Sequence, residues 1–596
     1  MPNLFQLTDT RPLVDCAMGR LPADLVIRNG RWVCVQTGEI IPNTDIAILA
    51  GRVAYVGPDA SHTLGESTQI LEAGERYLVP GLLDAHMHVE SGMLTVTEFV
   101  RAVLPHGTTG MFIDPHEIAN VFGLPGVRLM VDEALIQPIH VFVQMPSCVP
   151  SAPGLETSGA VIGVEEVAEA LSWQGIIGLG EMMNFPAVVN GDPSIHAELT
   201  ATRLSGKIIG GHFPMHNQSR IFNGYAAGGA MDDHEGTSRE DAVARARQGM
   251  RVMMRYGSAW HDVAEQVRAV TEDGMDPRMF LLCTDDSHSG TSISEGHMDW
   301  VVRFAISQGL PPVQAIQMAT INTAEHFGVS REMGMIAPGR YADILLVDNL
   351  EHFNVEVVVA KGLLAAENGR LRLFFNSPQR PDWVTHSVKL PKPVTADDFR
   401  LKTSIYPVVN ANVIGIIENQ APTRHLNMEL PVHDGEVHPD LLQDVAKLAL
   451  IDRHHGTGEI KLGFVHGFGF TESCAVASTV AHDSHHLLVV GTDEDNMAIA
   501  ANRIAECGGG QVVVRNKQVI GKVELPVGGL MSDQPAMVVA QQVEEVLQGF
   551  RDCGCSLNNP NMQLSLLALV VIPELRISNQ GLVDVTQFKI IPTLES

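Results

Sequence analysis

Eight short apolar runs, separated by stretches of helical period, fill residues 79 to 336 and constrain this chain more than any other feature. The runs lie near 79–85, 109–114, 139–145, 176–180, 207–211, 228–233, 251–255 and 279–284. Between them, 164–172 and 239–248 space their apolar residues by three and four, as an amphipathic helix does. Strict alternation of strand and helix builds a parallel sheet, because a parallel neighbour needs a long crossover. Eight such units predict a closed (β/α)8 TIM-like barrel.

The flanks read differently. Residues 24–30 and 45–51 are strand-like and end in the turn signals Gly30 and Gly51. After the last barrel run, 299–307 and 313–327 carry helical period, and strands return at 342–347 and 355–359. The simplest organisation pairs 24–78 with 341–378 as one β-sandwich domain, interrupted by a catalytic barrel at 79–340. Residues 1–23 are then an N-terminal extension. Pro378, Pro381, Pro391 and Pro393 mark a linker. Residues 395–596 form a further α/β domain with strand-like runs at 511–514 and 564–571. Gly508-Gly509-Gly510 do not follow a strand as nucleotide-binding glycines do and are read as a turn.

A length of 596 residues exceeds one ordinary core and requires this multidomain reading. The net charge of −29 argues against a nucleic-acid or anionic-membrane partner and fits a small-molecule substrate. The first twenty residues carry Asp9, Arg11, Asp15 and Arg20, unlike a signal peptide, and no apolar run is long enough to span a bilayer. The eight cysteines are scattered and are expected as reduced thiols in a cytoplasmic protein.

Barrel active sites are built where the strands end. The first run ends in His86-Met87-His88, and residues two apart on a strand share a face. The fourth ends in Glu181, the fifth in His212, the sixth in Asp232-Asp233-His234-Glu235 and the eighth in Asp285-Asp286. Taken singly, each has a plain explanation: a histidine hydrogen-bonded in the core, or an aspartate capping a helix. Four histidines and two carboxylates at the ends of five strands of one barrel point instead to a metal site. Imidazole and carboxylate without thiolate suit zinc, iron(II) or manganese.

These residues resemble the amidohydrolase superfamily, as does Ile336-Ala337-Pro338-Gly339-Arg340-Tyr341-Ala342-Asp343-Ile344 where the barrel hands back to the sandwich. Four further segments resemble the bacterial adenine deaminases: His86-Met87-His88-Val89-Glu90-Ser91, Leu104-Pro105-His106-Gly107-Thr108-Thr109, Asp114-Pro115-His116-Glu117-Ile118-Ala119-Asn120 and Ala481-His482-Asp483-Ser484-His485. Gly92 and His486 depart from that pattern. The resemblance implies two divalent ions, manganese or iron ahead of zinc. It implies His86, His88 and Asp285 on one ion, His212 and His234 on the other, and Glu181 between them, where many superfamily members use a carboxylated lysine. Glu181 and Asp285 would be the catalytic carboxylates, with Asp285 moving the proton from an activated water to the leaving amine. Glu90, Ser91, His116, Glu117, His482, Asp483 and His485 are the candidate substrate contacts. Adenine and water would be the reactants, and the chain is expected as a cytoplasmic homodimer.

Two other readings stand beside this one. A cyclic amide hydrolase of the dihydroorotase or hydantoinase type would use the same barrel and metals. A metal-free assembly protein on the same fold would have lost ligand positions, whereas all six are present here.

Overall fold

The computed structural model describes residues 9–216, 219–258, 260–418 and 420–595. Residues 1–8 of the expected N-terminal extension lie outside the described residues. Within 79–340, strands Leu82–His88, Thr108–Ile113, His140–Met145, Ile176–Met182 and Ile208–Gly211 pair in parallel, each with the next. Asp232–Asp233, Arg251–Arg255 and Phe280–Cys283 pair likewise. The N–H of Met231 donates to the carbonyl of Ile209 at 3.0 Å, joining the two groups. Asp285–Asp286, continuing the last strand, pairs with Met87 and His88 of the first. The ring is therefore closed, as the alternating texture requires.

Its interior is filled. Leu83, Phe112, Phe142, Ile177, Ile208, Met253 and Leu281 form one buried cluster. Phe327 stacks on Phe112 with ring centroids 3.7 Å apart. A packed interior leaves no room inside the ring, and barrel sites are built at the strand ends.

Local signals set the boundaries. Helix Pro193–Ser205 starts on Asp192, whose side chain accepts from the N–H groups of Ser194 and Ile195, and stops on Gly206 at φ +73°. Helix Arg239–Arg247 opens with a reciprocal cap between Ser238 and Asp241. Three expectations need correction. The sixth strand is only Asp232–Asp233, because helix Arg220–Gly228 runs further and Gly229 (φ +111°) turns the chain. The stretch 313–327 is two helices, Pro312–Met318 and Ile321–His326. At Thr320 the hydroxyl donates back to the Ile316 carbonyl and the backbone leaves helical geometry. The run 564–571 is not a strand: helix Pro560–Ser565 and a 3-10 turn at Leu566–Ala568 occupy it. A short buried apolar run looks the same in either state. The deciding signal was Asn559-Pro560, with Asn559 capping the N–H of Met562.

The flanking segments share one nine-stranded sheet. Tyr77–Pro80 lies between Leu25–Cys34, in parallel, and Ile344–Val347, antiparallel. Beyond the linker, a ten-stranded sheet carries helix Glu494–Cys507 against it, and Gly508 (φ +77°) ends that helix before strand Gly510–Arg515. This sheet leans on the barrel mouth: Ser532 bonds through its backbone to Met93 and Thr95, and His486 Nε2 donates to the Thr157 carbonyl at 2.8 Å.

Candidate active site

The first strand must turn two imidazoles inward within three residues. Simple alternation with Leu83 and Ala85 inside would send both His86 and His88 outward. The pairing register shifts between Asp84 and Met87, so Leu83 and Ala85 line the barrel while Met87 packs in a separate hydrophobic cluster. That irregularity lets His86 and His88 join the site.

Six side chains converge there, all buried except the partly buried His212. Glu181 is the hub. Its Oε1 lies 3.5 Å from His88 Nε2, and its Oε2 lies 2.6 Å from His212 Nδ1 and 3.1 Å from His234 Nε2. Asp285 Oδ1 lies 3.3 Å from His88 Nε2 and 3.8 Å from His86 Nε2. The rings of His86 and His234 stack with centroids 4.0 Å apart. Donor atoms of His86, His88 and Glu181, of His86, His234 and Asp285, and of Glu181, His212 and His234 all come within 4.8 Å of one another.

Surrounding groups aim these donors. His88 Nδ1 donates to the Asp114 carbonyl at 2.8 Å, which turns Nε2 to the centre. Asp114 Oδ2 also accepts the Glu181 N–H at 2.8 Å, and only glycine fits at 180, where a Cβ would stand 2.1 Å from that oxygen. Tyr225 holds the His212 backbone at 2.8 Å. Arg255, at the end of the seventh strand, donates from Nη1 to Asp285 Oδ2 at 3.1 Å and is also paired with Glu235 and Asp262.

Burial works against charge at Asp285 and Glu181, but their partners outweigh it. The His88 hydrogen bond and the Arg255 charge hold Asp285 below the usual carboxylate range. Hydrogen bonds from His212 and His234 do the same for Glu181. Burial holds His86 well below its usual value, and its buried Nε2 has no hydrogen-bond partner. Despite burial, the neighbouring carboxylates shift His88, His212 and His234 the other way, upward, so a divalent cation, which needs unprotonated imidazole and ionised carboxylate, would displace their protons.

The remaining candidates form a second tier. His116 bridges the two: its Nδ1 is 3.3 Å from Glu181 Oε1 and its Nε2 is 3.8 Å from Asp483 Oδ1. His482 Nδ1 is 3.5 Å from Glu117 Oε1, and His485 Nε2 is 3.9 Å from Glu117 Oε2. Ser91 Oγ lies against Asp286 and 3.4 Å from Glu117 Oε1. Glu90 Oε1 accepts from the Ile118 N–H at 3.3 Å. The seven candidate contacts thus lie close together beside the first tier. Reading strand ends for ligands passed over Arg255, and named Asp114 and Asp286 without giving them a role. A cation ending a barrel strand was the available signal for Arg255.

Known proteins bear on this geometry. Residues 77–365 match the amidohydrolase family, and residues 420–589 match the adenine deaminase C-terminal domain. An adenine deaminase of Mesorhizobium japonicum is 59% identical over 97% of this chain and 96% of its own length. Adenine deaminase 3 of Rhizobium meliloti is 58% identical over 97% of each chain. An adenine deaminase of Moorella thermoacetica is 51% identical over 98% of this chain and 97% of its own. The chain belongs to the adenine deaminase family. Membership spans both tiers, since the matched C-terminal domain contains His482, Asp483 and His485. Among the described residues, no helix is long and apolar enough to cross a membrane.

Proposed function

We propose that this chain hydrolyses adenine to hypoxanthine and ammonia at the barrel mouth, with His86, His88, Glu181, His212, His234 and Asp285 as the ligands of two divalent ions. The observation that carries this reading is the hub at Glu181, whose two oxygens face different histidines. His86, His88 and Asp285 would hold one ion and His212 and His234 the other, with Glu181 shared. The ions, when bound, would supply Lewis acidity and lower the pKa of water towards about 7. The thiolate-free donor set suits zinc, iron(II) or manganese, and the family resemblance places manganese or iron ahead of zinc.

The chain's own residues do the rest. Asp285 Oδ1 faces the centre, while Arg255 occupies its other oxygen. Asp285 is therefore placed to take a proton from the attacking water and hand it to the departing C6 amine. Glu117, with Glu90 and Ser91 beside it, faces the C-terminal turn carrying His482 and Asp483. These groups would hold the purine edge and exclude bulk water. We expect a homodimer in the cytoplasm, the dimer to be checked by light scattering.

The test is ammonia release from adenine by protein prepared with manganese, alongside elemental analysis. About two ions per chain with adenine-dependent ammonia is the expected result. Two ions with hydantoin opening and no ammonia would replace adenine with a cyclic amide.

A further inference from the structure

The turn 481–486 joins strands Cys474–Ser478 and Leu487–Gly491 of the C-terminal sheet yet must stand at a fixed height over a barrel helix. Arg453 supplies the tie. It follows strand Val445–Ile451, is fully buried, and donates to acceptors in three separate segments. These are the carbonyl of His485, Ser387 Oγ at 2.9 Å, and the Gly528 carbonyl at 3.0 Å. Ser387 lies in the linker after the barrel. The Gly528-Gly529 turn packs so tightly that a Cβ on Gly528 would stand 2.4 Å from Ile118 Cδ1, and one on Gly529 would stand 2.5 Å from Arg453 Nη1. Ile118 follows His116 and Glu117 in the same helix. The next residue, His454, donates from Nε2 to the Ser484 carbonyl at 2.7 Å.

Among the described residues all the acceptors of Arg453 are neutral, and burial pushes its pKa down, to about 9. A buried guanidinium without a counter-ion is costly, so a role beyond filling space is expected. Its planar fork of five donors can serve three segments at once, which an ammonium on a flexible stem cannot.

We propose that Arg453 is a positioning residue for adenine: it fixes the 481–486 turn above Glu117 and so sets the substrate pocket across the junction of barrel and C-terminal sheet. The proposal rests on the reading that His482 and Asp483 face the purine. It concerns substrate binding and not the metal ligands, none of which Arg453 touches.

The test compares Arg453→Lys, Arg453→Met, His482→Ala and Lys447→Met in the manganese-loaded enzyme. Lys447 is a buried cation of the same sheet, paired with Glu494, and reports general loosening. For Arg453→Lys we expect KM for adenine to rise about tenfold, kcat to stay within about threefold, and metal content to match the parent. Arg453→Met should raise KM further; if it does not fold, Arg453→Lys carries the comparison alone. Unchanged KM in folded Arg453→Lys, or the same rise in Lys447→Met, overturns the proposal. His482→Ala separates the two claims. Unchanged KM there removes the pocket reading itself. A raised KM there, with Arg453→Lys at parental KM, keeps the pocket and rejects the tie.

Discussion

The two tiers use the same residue types to opposite ends. Glu181 in the lower tier has histidines against both oxygens and is held well below the usual carboxyl range despite its burial. Glu117 in the upper tier is buried too, and there burial wins: its carboxyl is pushed well above the usual range, with Glu90 adding to the shift. An ionised carboxylate ringed by imidazoles suits a cation, which would displace the protons that Asp285, Glu235 and Glu181 favour on His88, His212 and His234. A neutral carboxyl both donates and accepts, which suits the edge of a neutral heterocycle. On the proposed function, environment and not residue type would separate the metal ligands of one tier from the substrate contacts of the other.

The most severe break in this contrast is Asp285→Asn. The amide keeps the shape but cannot take the proton, so kcat should fall at least about 10²-fold. Steady-state ammonia release checks this, and near-parental turnover would end the proton-transfer role. His86→Ala should lower the bound metal as well as turnover; full occupancy with full activity would remove His86 from the ligand set.

Arg255→Lys probes the support beneath the lower tier. Arg255 meets Asp285, Glu235 and Asp262 from one planar group, and lysine cannot reproduce that fork. Groups that orient metal ligands typically contribute about 10–100-fold in affinity or activity, and we expect a fall of that size in kcat. A change confined to KM would assign Arg255 to the substrate instead.

How much of this could be read from sequence follows from the range of each interaction. The barrel was legible because each strand is a local apolar run, and the six candidate ligands that converge were legible because each sits at the end of such a run. That His86 and His88 share a face was legible from their spacing, but the register shift that turns that face inward after Leu83 and Ala85 was not, since it depends on the neighbouring strand. Arg255 ended an expected strand but was not weighed, because only ligand types were sought there. The meeting of Glu117 with His482 and His485 joins distant segments, and no periodicity or spacing encodes it. Only the family resemblance drew the Ala481-His482-Asp483-Ser484-His485 segment towards the site. The helix at Pro560–Ser565 was missed because an apolar run outweighed its cap, Asn559.

The mildest change tests the contrast most directly, because the same substitution can be made in both tiers. Glu181→Gln exchanges an ionised hub for a neutral one, so metal content should drop. Glu117→Gln exchanges a carboxyl that burial drives towards its neutral form for a neutral amide of nearly the same shape, so both ions should stay. Loss of one neutral hydrogen bond is worth about 0.5–1.5 kcal/mol, so KM for adenine should rise between about two- and tenfold with little change in kcat. Glu117, His482 and His485 also have the donor spacing of a cation site, with atoms within 4.8 Å of one another. If that were their use, Glu117→Gln would lower metal content by one ion per chain. Elemental analysis of the two glutamine variants side by side decides whether the upper tier holds a base or a third ion.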